Sequence, residues 1–231
     1  MTIDIFYHQY AGTGEFTQIL NSPLSVDGVG IEPVRSIDNY KPNSVPHYAC
    51  PAWRHKQERE FIVYAPKDIT VEQNGYQFKC PTIDDDELAN WLIHIEDPKT
   101  IQIACPMVLC WTKAKRVWVE VEDHPMTALN NNFTVVSGWF NLSEWTRPIA
   151  FAVMRVDSKK PVIIKRGDPL YKIRFYQENN LKQKFNMIKS EPSEKMLRDI
   201  NNRLSVKHFI PFLAKDLMFG KERKCPFGFG K

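Results

Sequence analysis

Between residues 100 and 177 the chain contains a series of short runs rich in β-branched and aromatic residues, recurring about every ten residues. Turn residues separate these runs, and no stretch with helical spacing interrupts them. Short strands at such regular spacing are typical of antiparallel β-sandwiches and barrels. The runs cover 101–105, 107–111, 117–121, 133–136, 149–156, 162–164 and 170–176. We therefore predict a mainly β fold, either an antiparallel sandwich or a closed barrel.

Local signals place further elements outside this series. Residues 3–7 form an opening strand, and residues 69–71 and 76–80 flank Asn74-Gly75, a pair that favours a tight hairpin turn. Between residues 82 and 95, apolar side chains recur at helical spacing after an acidic start, which is compatible with a short helix or a loop.

The distribution of charge divides the chain. Residues 1–178 carry a net charge of −3 and residues 179–231 a net charge of +7, in agreement with +4 for the whole sequence. Beyond this point apolar residues recur mostly every three or four positions, after a helix start at 190–194 with a polar cap and a proline. We predict an irregular N-terminal segment over 1–49 that wraps the body, a β-rich core over 50–177, and a basic helical tail with a flexible end over 178–231.

Composition and targeting signals indicate a protein in a reducing interior. No apolar run approaches the roughly 20 residues of a membrane helix, and the first residues lack the basic start and apolar core of a signal peptide. Five cysteines are an odd number, and a disulfide framework usually has an even one. We expect a location in a host cytoplasm or a virion, without a membrane contact or secretion by a classical signal.

Metal and cofactor motifs are weak in this sequence. Cys105 and Cys110 lack the second cysteine pair that a zinc site needs, so we predict buried strand thiols. His94 and Glu96 have the spacing of two arms of a two-histidine, one-carboxylate iron site, with His124 or His208 as the third arm. Because pairs at this spacing arise easily by chance, we favour a structural role, and we predict no metal and no cofactor.

The C-terminal end combines cations and aromatic rings with glycine and proline residues that disfavour helices and strands. Arg223 and Lys224 precede Phe227 and Phe229, and glycine and proline residues interrupt regular structure there. We predict that these four side chains bind a partner, either another copy of the chain or another protein subunit. Nucleic acid is a second partner class for this basic tail.

Several turn and packing residues carry a resemblance to known families. In order, these are Gly138-Trp139-Phe140, residues 149–153, Pro161 to Ile164, Gly167 to Leu170, and residues 173–175. With Cys50-Pro51 and residues 61–66 they resemble an uncharacterised family of β-rich domains of bacteria and phages, over residues 50–176. The part over 138–176 is also similar to the closing strands of dUTPases and dCTP deaminases, which implies a β-clip-like barrel.

The enzymatic residues of those nucleotide enzymes are not reproduced. Where a dUTPase has a catalytic aspartate before the strand at 149, this chain has Asn141-Leu142-Ser143-Glu144-Trp145, and no phosphate loop stands at the matching distance. We therefore predict a non-catalytic structural or binding protein, encoded by a phage, that acts through oligomer or partner contacts. The alternative is a nucleotide-processing enzyme with a divergent site at Ser137, Glu144 and Arg147.

Overall fold

A computed structural model gives the fold of the β-rich part of the chain. It describes residues 2–10, 31–33, 51–52, 56, 59–65, 68–74, 77–79, 92–93, 100–124, 131–144, 146, 148–180 and 182–200. The strands within these ranges are β1 (Thr2–Tyr10), β2 (Ile31–Pro33), β3 (Glu60–Tyr64), β4 (Ile69–Asn74), β5 (Gln77–Lys79), β6 (Leu92–Ile93), β7 (Thr100–Trp111), β8 (Val117–Asp123), β9 (Phe133–Val135), β10 (Gly138–Asn141), β11 (Pro148–Arg155), β12 (Val162–Ile164), β13 (Pro169–Gln177) and β14 (Lys184–Lys189). A helix follows over residues 194–200.

The strands form three sheets. Sheet I has the order β14-β1-β7-β11-β9, with β6 also paired to β7, and sheet II has the order β10-β8-β13-β3-β2. Sheet III contains β12-β4-β5. The pair of β1 and β14 is parallel, and the other pairs are antiparallel.

A single apolar core joins the three sheets, because each strand turns alternate side chains toward it. In β8, for example, Val117, Val119 and Val121 are buried while the residues between them are partly exposed. The rings of Phe175 in sheet II and Phe185 in sheet I meet across the core at 5.8 Å. The mainly β prediction is confirmed, with several sheets of mostly antiparallel strands, none of which closes into a barrel in the described ranges.

The strand pairing predicted on either side of Asn74-Gly75 is present, and a turn at Gly167 precedes β13. β4 and β5 pair antiparallel, with Asn74 opposite Gln77. Gly167 adopts a φ of +84°, a conformation that glycine tolerates better than other residues, and its N–H donates to the Ala65 carbonyl over 2.8 Å. The Asp168 carboxylate accepts from the Lys165 N–H over 3.0 Å, so this turn is held on both sides before β13 begins.

Some local expectations differ from the structure. Leu92 and Ile93 form β6, so the helical interpretation of 82–95 is wrong at these two positions. Residues 184–189 form β14, although the spacing beyond residue 178 favoured a helix. The helix start at 190–194 is confirmed, because the Ser193 hydroxyl accepts from the Met196 N–H over 3.3 Å and caps the helix at residue 194.

The predicted core limits leave out two strands of sheet I. β1 lies within the segment predicted as an irregular wrap, and β14 lies within the predicted tail, yet they pair with each other. Ile5 and Phe185 from these strands are buried in the shared core. The described part of the core therefore extends beyond 50–177 on both sides.

Candidate functional site

The outer face of sheet II, opposite the apolar core, carries polar and aromatic side chains from four neighbouring strands. Register places Trp139 of β10 opposite Glu120 of β8, which lies opposite Arg174 of β13, which in turn lies opposite Glu60 of β3. The alternation of strand side chains puts these four residues on one face. One row thus crosses the sheet from an edge strand to β3.

A network of ion pairs occupies the middle of this face. We call it the charged cluster, and its members are Lys56, Glu60, Glu120, Glu122, Lys172 and Arg174. Lys172 Nζ lies 3.5 Å from Glu60 Oε2 and 3.3 Å from Glu122 Oε1. Arg174 Nη2 lies 2.9 Å from Glu120 Oε2 and 2.8 Å from Glu122 Oε2. Residues from β3, β8 and β13 are therefore joined through their charges.

The cluster is partly buried, and the pKa values of its two carboxyls Glu60 and Glu122 are shifted in opposite directions. Glu60 is 3% exposed, and burial raises its pKa more than the charge of Lys172 lowers it. Burial also opposes ionisation of Glu122, but a hydrogen bond with Glu60 and the charges of Lys172 and Arg174 together lower its pKa. Of the two carboxyls, Glu60 therefore binds a proton more readily than an ordinary glutamate, and Glu122 less readily.

Two buried carboxylate oxygens of the cluster lie at ion-pair distance from lysines, Glu60 Oε1 from Lys56 Nζ and Glu122 Oε1 from Lys172 Nζ. Within the described residues, Oε1 of Glu60 and Oε1 of Glu122 accept no conventional hydrogen bond. The side-chain interaction between the two carboxyls raises the pKa of Glu60 and lowers that of Glu122. Such a pair can in principle supply an acid and a base, but its charges are compensated by Lys56, Lys172 and Arg174.

His124 lies immediately after β8 and is 9% exposed. Burial lowers the pKa of His124 to about 4, and the charge of Lys172 contributes in the same direction. The imidazole is therefore neutral at physiological pH. Among the residues that the structure describes, no group of three or more histidine, cysteine or acidic side chains is placed to hold a metal ion.

Three aromatic rings lie at the end of this face where β8 begins and β13 ends. We call this group the aromatic end: Trp118, Trp139 and Tyr176. The rings of Trp118 and Tyr176 stack with centroids 6.4 Å apart, and Trp118 and Trp139 lie 4.8 Å apart. Trp139 is 52% exposed, on the edge strand β10. The aromatic end is thus a ring surface of three neighbouring strands that opens toward solvent at Trp139.

Loops rich in cations border the aromatic end. Residues 112–116 precede β8, residues 142–144 follow β10, and residues 178–180 and 182–183 follow β13. Hydrogen bonds hold these loops together: the Glu178 N–H donates to the Arg116 carbonyl over 3.0 Å, and the Ser143 hydroxyl donates to the Ala114 carbonyl over 2.8 Å. We call the three segments the bordering loops.

Arg116 in the first bordering loop has an unusual backbone. Its φ is +59°, in the left-handed region that costs a residue other than glycine about 1–2 kcal/mol. Strained positions of this kind cluster at functional sites because the surrounding contacts must hold them. Here the carbonyl of Arg116 is held by Glu178, and its side chain is exposed.

The structure places two of the three residues of the predicted nucleotide site. Ser137 comes immediately before β10 and Glu144 lies in the turn after it, both exposed. A four-residue strand separates them, which corresponds to roughly 13 Å of extended chain. Arg147 lies outside the described residues, and the site as a whole stays a prediction.

Other predicted site residues are placed only in part. His94, Glu96 and His208 lie outside the described residues, as do the four tail residues Arg223, Lys224, Phe227 and Phe229. Cys110 is a free thiol buried in the core, as expected for a strand cysteine, and burial raises its pKa. None of the helical residues that the structure describes belongs to a segment long and apolar enough to cross a membrane.

Sequence reasoning did not single out the charged cluster or the aromatic end. The period-two alternation of β8 places Trp118, Glu120 and Glu122 on one face, and the alternation of β13 does the same for Lys172, Arg174 and Tyr176. That pattern was the available signal. The alternation does not give the order of the strands. Only that order places the polar face of β8 beside the polar face of β13.

Comparisons with known proteins give structural neighbours. No family model matches the chain. No curated protein matches it either. Among solved structures it is similar to the EIAV dUTPase, at 12% identity and a TM-score of 0.33, over 59% of this chain and 84% of that chain.

A second structural neighbour is a mutant dUTPase from phage phi11 of S. aureus. The identity is 5% and the TM-score 0.34, over 71% of this chain and 99% of that chain. The neighbours are thus of the dUTPase kind named in the resemblance, whereas the family of bacterial and phage domains stays a prediction.

Proposed function

We propose that this chain is a non-catalytic binding protein that contacts its partner with the aromatic end of sheet II. The observation that carries this proposal is the position of Trp139, which is 52% exposed on an edge strand and rests on a second tryptophan. Burial of a large aromatic side chain is worth on the order of 1.5–3 kcal/mol. Tryptophan and tyrosine are enriched among the residues that dominate binding energy in interfaces.

The charged cluster supports this role by fixing the strands beneath the rings. Arg174 contacts Glu120 and Glu122 at 2.9 and 2.8 Å, and Lys172 links β13 to both β8 and β3. Side chains that are held before binding lose less conformational entropy when a partner arrives. The cluster is therefore assigned a structural role, in which it orders the aromatic end.

We propose that the partner of this surface is a macromolecule. A second copy of the chain is one such partner. The edge strand β10 pairs with β8 on one side, and no other described strand pairs with it. Edge strands are common places for contacts between chains. Origin in a phage remains part of the proposal, as the sequence resemblance implies.

The competing function is nucleotide processing at Ser137, Glu144 and Arg147. Its support is the resemblance of residues 138–176 to the closing strands of nucleotide enzymes. Incubation with a panel of deoxynucleoside triphosphates and Mg²⁺ separates the two functions. A binding protein releases neither pyrophosphate nor ammonia, and turnover that Glu144→Gln abolishes would reverse our assignment.

The direct test of the binding surface is a panel measured with the full chain, Trp139→Ala and Val156→Ala. Val156 is an exposed apolar residue just after β11, so its substitution is a matched control. The panel contains a concentration series of the protein itself in the ultracentrifuge, a neutral oligosaccharide, and a 12-nucleotide single strand. We expect at least one association that Trp139→Ala weakens and Val156→Ala preserves; if Trp139→Ala changes none of them, the proposal is wrong.

A further inference from the structure

We infer that the aromatic end and its bordering loops bind single-stranded nucleic acid. Bases stack on the rings of the aromatic end, and phosphates lie against the cations of the loops. This inference rests on the proposed function and names the partner class of the same surface.

The rings meet the first requirement of a single-strand site. Trp139, Trp118 and Tyr176 come from three neighbouring strands, which lie about 4.8 Å apart in a sheet, so the ring surface spans roughly 10 Å. An unpaired base offers its flat face to such rings whatever its identity. The bases of a duplex are stacked inside the helix, so this platform selects single strands.

The bordering loops meet the second requirement, which is positive charge beside the rings. They contain the cations Lys113, Lys115, Arg116 and Lys182 and the acids Glu144 and Glu178. All four cations are exposed. A net positive charge next to an exposed tryptophan and two half-buried rings is a combination that can track a phosphate backbone while a base stacks.

Arg116 is the cation best placed to reach a phosphate. Its Nε lies 3.8 Å from Glu178 Oε2, and both side chains are more than half exposed. Exposed pairs at this distance contribute little, so exchange of Glu178 for a phosphate meets little resistance. The two-residue spacing from Arg116 to Trp118 places a phosphate contact beside a stacking contact.

The inference places nucleic acid on sheet II, whereas the sequence alone directed attention to the basic tail. The two locations predict different results in the same binding experiment. Binding at the aromatic end depends on Trp139 and on the lysines of residues 112–116. Binding by the flexible end of the tail depends on residues 221–231 and on neither of those features.

The experiment uses the full chain and fluorescein-labelled 12-nucleotide oligo(dT) and oligo(U), with anisotropy and tryptophan emission as readouts. We expect both oligomers to bind at 50 mM salt and to quench tryptophan emission, while the duplex of the same length binds more weakly. Trp139→Ala should weaken binding at least about fivefold, as loss of one base–aromatic stack does. The comparison of oligo(dT) with oligo(U) shows whether DNA or RNA is preferred.

Salt dependence tests the charge contribution. The double variant Lys113→Ala/Lys115→Ala should reduce the slope of log K against log salt by about 1.4, if each lysine meets one phosphate of a single strand. Lys159→Ala/Lys160→Ala removes two exposed lysines from the turn after β11 and should leave the slope unchanged. Circular dichroism of each variant confirms that the β fold is retained.

The outcomes distinguish this inference from the proposed function. If the oligomers do not bind, or bind Trp139→Ala as tightly as the full chain, the nucleic-acid inference is wrong. If another panel member still binds in a Trp139-dependent manner, the proposed function stands without it. Loss of oligomer binding on deletion of 221–231, with no effect of Trp139→Ala, overturns the inference in favour of the tail.

Discussion

Trp118 and Tyr176 lie opposite each other on β8 and β13, and their rings stack with planes only 6° from parallel. The same two strands carry Glu122 opposite Lys172 and Glu120 opposite Arg174 on the same face. One register therefore builds both the aromatic end and the charged cluster. A slip of β13 by one residue against β8 would turn Lys172, Arg174 and Tyr176 toward the core and break both groups.

The two central carboxyls of the charged cluster should respond differently to neutralisation. At pH 7 we expect Glu122→Gln to lower the free energy of unfolding by about 1–3 kcal/mol, because Lys172 and Arg174 lose a buried counter-charge. Glu60→Gln should cost less, because burial already disfavours the charged form of Glu60. Urea denaturation of the two variants checks the order, and a larger loss for Glu60→Gln contradicts it.

The pH dependence of the same variants has opposite signs. The pKa of Glu60 is raised above 4.5, so its contribution to stability is present below pH 4.5 and is lost as pH rises through the raised pKa. The pKa of Glu122 is lowered, so its contribution is present above pH 4.5 and is lost as pH falls through the lowered pKa. Denaturation between pH 3 and 8 should show Glu60→Gln gaining relative to the wild type as pH rises, and Glu122→Gln losing.

His124 should titrate well below an ordinary histidine. Its pKa in the folded chain is about 4 against 6.5, so the stability that it contributes is present above pH 6.5 and is lost as pH falls toward 4. Below pH 4 the loss amounts to about 3 kcal/mol. An NMR titration of the ring signals, assigned with His124→Gln, measures the pKa directly; a midpoint near 6.5 would refute the buried neutral imidazole.

Gly167 and Gly138 allow the effect of backbone strain to be compared at two positions with equal space for a side chain. A Cβ atom at Gly167 or Gly138 meets nothing within 4 Å, but only Gly167 has a positive φ, at +84°. Gly167→Ala should therefore destabilise the fold by about 1–2 kcal/mol, through its backbone alone. Gly138→Ala should be close to neutral or slightly stabilising. Thermal unfolding of both variants gives the comparison, and equal shifts in Tm would exclude this explanation.

The sequence predicts that Arg223, Lys224, Phe227 and Phe229 at the C-terminal end bind a partner. Deletion of residues 221–231 should weaken self-association or partner binding, because two phenylalanines lose their docking contacts. The β core should remain folded, with an unchanged circular dichroism spectrum. Sedimentation equilibrium of the truncated and full chains decides the matter: identical association constants and identical partner binding would leave the segment without a binding role.

Local sequence determined most of the strands. The strict alternation in residues 117–121 and the β-branched run at 162–164 are strands because their side chains match a half-buried pleated surface. The hairpin at β4 and β5 and the cap at Ser193 were likewise predictable, since each depends on a few neighbouring residues. These signals were strong because they lie within one element.

Four strands, β2, β6, β10 and β14, could not be inferred in this way, and the last two show why. β10 has four residues, beginning with glycine and ending with asparagine, so it carries no clear strand pattern of its own. β14 is held by parallel pairing with β1 at the other end of the chain. The hydrogen bonds that make these segments strands come from partners that are distant in sequence.

The sequence by itself determined a β-rich chain whose β8 and β13 each carry one apolar face and one polar, aromatic face. Only the tertiary structure decided that these polar faces meet, with Glu60 and Lys172 in contact across 112 positions of sequence. Side-chain alternation follows from the geometry of a single strand, whereas strand order follows from the packing of the whole core. The charged cluster and the aromatic end are therefore products of strand order, which no local pattern encodes.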